Sequence, residues 1–186
     1  MIISENILYF ILFFILIVLI SGGLIAIFIF LTLFISGFQS GVPFVKSKKI
    51  IVKRIKESNI LKPRTLFCDL GSGDGSFLYE LAKAFPEIKF VGYEKNYLLY
   101  WFSKIFNRLP NLKFYHQNFF KVDLSQFDYI YLFLFSSLME KLLPKLKKEI
   151  KKEAVIISNT FVFKDWQPIK SLSSKRQLET LHFYQL

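Results

Sequence analysis

Residues 66–75 read LFCDLGSGDG, a short apolar run that ends in an acid and then in three glycines spaced G-x-G-x-G. Glycine tolerates positive φ and lets backbone approach closely, so a strand that ends this way can wrap its chain around a ligand before a helix begins. The spacing separates this turn from two better-known ones. A dinucleotide fingerprint needs G-x-G-x-x-G, with its third glycine packing helix against strand, and position 76 is Ser. The Walker pattern needs G-K-[ST] after its loop, and none follows.

Outward from the turn the chain alternates. Thr65–Leu70 reads as a strand, and Ser76–Phe85 as a helix with Phe77, Leu78, Leu81, Ala82 and Phe85 on its inner face. Lys89–Tyr93 reads as a second strand, Lys95–Asn107 as a second helix, Leu112–His116 as a third strand and Asp128–Phe135 as a long apolar fourth. Ser137–Lys152 is helical and expected to restart at Pro144, because proline suits the first turn of a helix better than its interior. Ala154–Phe161 makes a fifth strand, and the alternating tail Leu178–Leu186 a final one. Upstream, Ile50–Ile60 places Ile51, Val52 and Ile55 on one helical face and Lys53, Arg54, Lys56 and Glu57 on the other, until Pro63 stops it. Strands rich in aromatic and β-branched residues, spaced by helices, predict an α/β fold: a Rossmann-like, doubly wound, mostly parallel sheet. Such sheets bind ligands at the carboxyl edge of the first strand, where the strand order reverses. Asp69 falls at that edge. Glu94, twenty-five residues on, ends the second strand, where a carboxylate can accept hydrogen bonds from both hydroxyls of a ribose.

The N-terminal region has a different composition. From Asn6 to Val45 there is no Lys, Arg, Asp, Glu or His. At about 1.5 Å per residue, Ile7–Ile35 crosses a ~30 Å hydrocarbon layer with length to spare, whereas a break at Gly22–Gly23 would leave two halves each too short to cross. A cleaved signal peptide would have a basic start and a shorter apolar core, and here the start carries Glu5. One transmembrane helix is the expectation. Lys46, Lys48, Lys49, Lys53, Arg54 and Lys56 follow it, which places the remainder of the chain on the cytoplasmic side. The expected division is residues 1–36 as anchor, 37–62 as linker and amphipathic helix, and 63–186 as the ligand-binding domain. All the positive charge behind the net +11 lies after the anchor, since Glu5 is the only charged side chain before Lys46. Such a surface is drawn to anionic headgroups or acidic partners, and charge alone does not choose between them. Cys68, the single cysteine, reads as a buried thiol.

DLGSGDG and YEKN together resemble the first and second motifs of class I S-adenosylmethionine-dependent methyltransferases. VPFVKS before the domain, FDYIYLFLF followed by SSLMEKL, and SNTFVFKDWQP narrow the resemblance to a small family of membrane-anchored protein-lysine methyltransferases. Mitochondrial members of that family modify the adenine nucleotide translocase and the ATP synthase c-subunit. The likeness runs from Pro43 to the end. It departs at Lys46, where the family usually has a second proline, and at Asn118, where Asp is common. The resemblance implies S-adenosylmethionine as cofactor, with Asp69, Gly71, Ser72, Gly73 and Gly75 around its methionine end and Asp74 holding a backbone turn or water. It implies Glu94 on the ribose, Lys95 and Asn96 beside the adenine, Asn118 at the adenine edge, and Phe135 and Ser136 facing the reactive methyl.

Methyl transfer from a sulfonium is an in-line displacement, so the protein chiefly aligns nucleophile and methyl and excludes water. A lysine substrate must lose its proton, which an apolar channel favours, and aromatic walls suit the cationic product. Phe135, Phe161, Phe163 and Trp166 follow strand ends, and Phe135 and Trp166 are the expected channel walls; no general base stands out. His116 and His182 lack carboxylates at triad or metal spacing, and no metal is expected. Asp128 begins a strand, at the wrong edge for chemistry, and reads as structural. The lysines of 141–152 read as a solvated face or as a rest for phospholipid headgroups. Tyr97–Phe106, apolar all round, reads as either heavily packed or membrane-touching. The expected partner is a membrane-embedded or membrane-proximal protein. A lipid or quinone methyltransferase and a non-catalytic cofactor-binding scaffold are the rivals. Nucleic-acid base methylation is disfavoured, since LFLFSSL stands where such enzymes carry D/N-P-P-Y/F.

Overall fold

The computed structural model describes the backbone of residues 5–40, 49–173 and 180–186. The chain divides into two compact units, Met1–Ser40 and Gly41–Leu186. The described residues of the first form a single helix, α1 (Glu5–Ser40). It runs unbroken through Gly22–Gly23, and the window Asn6–Thr32, with mean hydropathy 3.1, is not buried anywhere in the chain. A core helix of a soluble domain would be. Two of its hydroxyls are satisfied by the helix itself. Ser21 Oγ donates to Val18 O at 3.0 Å, and Thr32 Oγ1 to Phe28 O at 2.8 Å. The helix also takes in 37–40, assigned above to the linker; Gly37 weakens a helix without removing a hydrogen bond, and the first proline comes only at 43. The rest of the expected linker, residues 41–48, lies outside the described residues, as does the stretch 174–179 that overlaps the expected start of the last strand.

Among the described residues, the second unit holds a seven-stranded sheet ordered β3-β2-β1-β4-β5-β7-β6. Its strands are β1 (Leu66–Leu70), β2 (Lys89–Glu94), β3 (Leu112–His116), β4 (Tyr129–Leu132), β5 (Val155–Asn159), β6 (Lys170–Leu172) and β7 (Leu181–Tyr184). The first five are parallel, and β7 pairs antiparallel with both β5 and β6. The chain winds outward from β1 through β2 to β3, then returns to lay β4 against β1. That reversal leaves a crevice at the carboxyl ends of β1 and β4. The short edge strand β6 escaped the sequence reading: three residues with one half-buried side chain carry no periodicity to read.

Helices α2 (Lys49–Glu57), α3 (Ser76–Ala84) and α4 (Tyr97–Phe106) cover one face, and α5 (Ser136–Glu149) lies on the other. Alternation along the strands divides the core. Phe67, Phe90, Tyr129 and Tyr131 join α2 and α3 on the first face, while Leu70, Ile130, Leu132 and Ile156 meet Met139, Leu142 and Leu146 of α5 on the second. α2 is the expected amphipathic helix and packs into the domain: Ile51 and Ile55 are fully buried in the first core. Pro144 does not restart α5, which is continuous across it. Met139, Leu142, Leu143 and Leu146 are buried on both sides of the proline, and that packing holds the helix through the lost backbone bond. At the amino edge Asp128 accepts Leu66 N at 2.8 Å and Lys151 Nζ at 2.8 Å, a structural tie between β1, β4 and the end of α5.

Ile55→Ala should cost about 2–5 kcal/mol in denaturant unfolding of the domain, while Lys53→Ala on the opposite face should stay within about 0.5 kcal/mol. Equal effects would contradict the assignment of α2 to the core.

Candidate active site

The residues read from the sequence converge where β1 and β2 end. Gly71 N and Ser72 N both donate to Tyr93 O, at 2.9 and 3.0 Å, so the turn stays zipped to β2 beyond the last ladder pair. Gly71, Gly73 and Gly75 all have positive φ, at 91°, 57° and 75°. Two of these positions show why glycine is required. At Gly73 the left-handed backbone turns its N–H onto Glu94 Oε2 at 2.9 Å. At Gly75 an added Cβ would lie 2.5 Å from Phe114 Cζ and 2.7 Å from Ser103 Cβ, so this glycine packs the start of α3 against β3 and α4. That is the packing role the third glycine of a dinucleotide turn performs, reached one residue earlier.

Glu94 is the centre of the arrangement. Its Oε1 accepts Asn96 N at 2.7 Å while Oε2 accepts Gly73 N, so one carboxylate bridges the glycine turn and the start of α4. Asn96 then caps α4, its Oδ1 accepting Leu98 N at 3.0 Å and Leu99 N at 3.2 Å. Asp74 holds a local turn at the start of α3, whose N-cap is Gly75, accepting Ser76 N at 3.0 Å and Ser76 Oγ at 2.7 Å. Asn107 Nδ2 donates to Asp74 O at 2.7 Å and ties the two helices together. Asn118 sits beyond β3 and accepts Phe120 N at 3.0 Å, leaving its side-chain amide N–H groups unused in that bond. The Lys95 side chain is exposed; its carbonyl is bonded to His116 Nε2 at 2.9 Å.

Two polar groups are buried beside the turn without such ties, Ser72 Oγ lying where a Cβ on Gly92 of β2 would meet it at 2.7 Å. Ser72 Oγ is the one buried side-chain oxygen or nitrogen among the described residues that has no hydrogen-bond partner. Asp69 is also buried, and its carboxyl is pushed up to about 8, first by desolvation and then by the charge of Glu94. The neighbouring Cys68 thiol is held well above its ordinary range, by burial and then by Asp69, which leaves it inert.

On the other side of β1, Phe135 opens α5 and meets Phe161 edge-on at 5.6 Å, with Phe133 at 6.1 Å from the same ring. The structure does not bring Trp166 to this place. Trp166 packs on Phe163 and Tyr184 at 5.5 and 5.4 Å, and Lys147 Nζ lies 5.9 Å over its ring. Lys147 is three turns along α5 from Phe135, roughly 16–18 Å by helix rise, and Tyr184 pairs with Ile156 near the start of β5. Trp166 is thus a packing residue remote from the carboxyl edge; a strand-end argument from sequence cannot see that the chain doubles back after Phe161. The doubling back begins at Thr160, which the sequence reading placed inside a strand. It has φ of 71°, and β5 ends before it. A β-branched residue in that region is strained by about 1–3 kcal/mol. Neighbours hold it: Thr160 N donates to Thr180 O at 2.7 Å, Ser158 Oγ to Phe161 O at 2.6 Å, and the buried Asn159 Nδ2 to Tyr131 Oη at 3.0 Å.

Gly75→Ala should destabilise the domain by ~1–3 kcal/mol through overpacking. Asp69 has a sharper signature. Its folded pKa is raised from 3.8 to about 8, so the folded chain keeps a proton that the unfolded chain releases across that window. Its contribution to stability is intact below about pH 4 and is lost as pH rises towards 8. Asp69→Asn, which is neutral throughout, should therefore flatten the decline of Tm over that window and melt above wild type at the alkaline end. Parallel Tm–pH curves would contradict this placement of Asp69.

Comparison with known proteins agrees with the geometry. Residues 69–170, from the glycine turn through the start of β6, match the family model described as the ANTKMT methyltransferase domain. A protein-lysine N-methyltransferase of Saccharolobus islandicus is 32% identical over 136 residues, 68% of this chain and 81% of the relative. The ATP synthase c-subunit lysine N-methyltransferase of Homo sapiens is 32% identical over 160 residues, 81% of this chain and 66% of the relative. Among solved structures, an RNA methyltransferase from Salinibacter ruber in complex with S-adenosyl-L-homocysteine superposes with a TM-score of 0.70 at 23% identity, covering 76% of this chain and 93% of that one. At that identity it shares the fold alone. The chain is a methyltransferase with the class I Rossmann-like fold and belongs to the ANTKMT methyltransferase-domain family.

Proposed function

We propose that this chain transfers methyl groups from S-adenosylmethionine to lysine side chains of a protein lying in or against the membrane to which α1 tethers it. The observation that carries this reading is the match to protein-lysine methyltransferases over the stretch that builds the glycine turn, Glu94 and the β4–α5 junction. The crevice fits an adenosyl cofactor. Glu94 retains a lone pair on each oxygen beyond the two backbone amides, enough to accept two ribose hydroxyls. Ser72 Oγ lacks a partner, and the Asn118 amide has N–H groups to offer an adenine edge. The Asn96 carbonyl oxygen is committed to capping α4, so its part is to place the helix start.

When bound, the cofactor supplies a methyl group already activated by the sulfonium charge. The chain's own residues then have two tasks. Phe135 and Phe161 form an apolar wall beyond the carboxyl end of β4, which excludes water and favours the neutral form of an incoming amine. The same ring faces stabilise a methylated ammonium by cation–π attraction. A general base is not needed when desolvation supplies the neutral amine. α1 contributes by confinement: a tether raises the effective concentration of substrates in the same membrane.

Full chain incubated with radiolabelled cofactor and native membranes should place label on a protein band that survives lipid extraction, on lysine after hydrolysis. Label in the lipid extract would overturn the reading. Phe135→Ala should lower kcat by about tenfold or more with cofactor affinity retained, because it loosens alignment rather than binding.

A further inference from the structure

α4 is covered on one side only. Of its ten residues, Ser103 alone is buried. Tyr97, Trp101, Phe102 and Phe106 are 61, 48, 39 and 69% exposed, with Leu98 and Ile105 half-buried between them. Trp101 packs edge-on against Phe102 at 6.2 Å and Phe102 stacks on Phe106 at 5.8 Å, so these three rings make one ridge, with Tyr97 one turn before Trp101 meeting Tyr100 and His116 instead. Of the two readings open for this apolar helix, heavy packing is therefore excluded. A contiguous exposed aromatic ridge marks a contact surface.

Its charge says what kind. From Lys95 to Val122 the chain has five cations and no Asp or Glu. Lys104 falls on the same stripe as Tyr97 and Trp101, and Arg108 follows just past the end of α4; with Lys113 of the edge strand β3 they line one open groove. None of these three is in an ion pair with a carboxylate among the described residues. Lys104 Nζ lies 5.7 Å over the Tyr100 ring, much as Lys147 of α5 lies 5.9 Å over Trp166, while on α5 and just past it Lys145 is paired with Glu149 and Lys151 with Asp128. Tryptophan and tyrosine at the level of headgroups, with basic side chains reaching anionic phosphates, is the composition of a helix lying in a bilayer interface.

We propose that the outer face of α4, the ridge Trp101–Phe102–Phe106 and Tyr97 one turn before it, with Lys104, Arg108 and Lys113, docks on a bilayer surface containing anionic phospholipid. The inference rests on the membrane tether of the proposed function and adds a second attachment to it. α4 starts at Asn96, whose amide Glu94 holds, so a docked α4 would set the mouth of the crevice beside the membrane surface.

The test uses the full chain in phosphatidylcholine vesicles with brominated acyl chains, with and without phosphatidylglycerol. The chain has two tryptophans, so wild-type emission minus that of Trp101→Phe isolates Trp101. In brominated anionic vesicles Trp101 should shift to the blue and lose emission. The loss should disappear when phosphatidylglycerol is omitted, and separately in the triple variant Lys104→Glu, Arg108→Glu, Lys113→Glu. Chain that floats with the vesicles while Trp101 stays unquenched overturns the proposal and leaves the tether standing. Chain that fails to float overturns both. A quench indifferent to lipid charge and to the triple variant, or a Trp101 shielded only when a membrane protein is added, would identify a protein-facing surface and also overturns it. Methyl transfer is not read, so the result is independent of the substrate assigned above.

Discussion

The Glu94 carboxylate is the constraint on which the site depends. Its two oxygens each take a backbone amide, one from Gly73 in the first turn and one from Asn96 at the head of α4. Neither amide has a strand partner, and charge-assisted bonds of this kind are stronger than neutral ones. By holding both, Glu94 sets the curvature of the glycine turn and the entry of the next helix together. The left-handed backbone at Gly73 makes the first bond possible, and the β2 ladder, which ends at Glu94, brings the carboxylate to it. The carboxylate that would grip a sugar is therefore also the clamp that shapes its own pocket.

The consequences spread across the sheet centre. Because β4 returns to β1, the clamp on β2 and the aromatic wall at the end of β4 lie one strand to either side of the glycine turn, each about 4.8 Å away in the sheet. One end of the crevice is polar and partly committed, with Glu94, Ser72 and Asn118. The other is apolar, with Phe135, Phe161 and Phe133 over a strained Thr160. Asp69 lies between them, buried, with its carboxyl pushed up to about 8, so desolvation and the charge of Glu94 both oppose a second carboxylate charge there. Binding and alignment are thus assigned to different strands of one rigid sheet.

Much of this was legible in the sequence because it depends on local pattern. The glycine turn, Glu94 at a strand end, the buried Cys68 and the inner face of α3 each follow from spacing, and each lies where the pattern put it. What was not legible depends on tertiary placement. Asn96 and Asn118 read as ligand residues, yet each commits a side-chain oxygen to its own local turn, whereas Asp74 holds the backbone turn expected of it. Trp166 follows a strand end in sequence but is carried down α5 by a turn that starts at Thr160, a residue whose type gives no hint of positive φ. Pro144 stays inside α5 because four buried neighbours outweigh one missing hydrogen bond. The apolar composition of α4 left its environment open, and only exposure distinguishes a surface ridge from a core helix.

The central claim is that the Glu94 clamp and the glycine turn form an adenosyl site. Calorimetric titration of the full chain with S-adenosylmethionine, compared with Glu94→Gln, tests it most directly. The substitution preserves shape, yet its amide can accept only one of the two backbone N–H groups and turns an N–H₂ on the other. One saturable site, weakened by about tenfold or more in the variant, or about 1.4 kcal/mol, is the result this account predicts. Unchanged affinity in Glu94→Gln, or no binding to wild type, would contradict it.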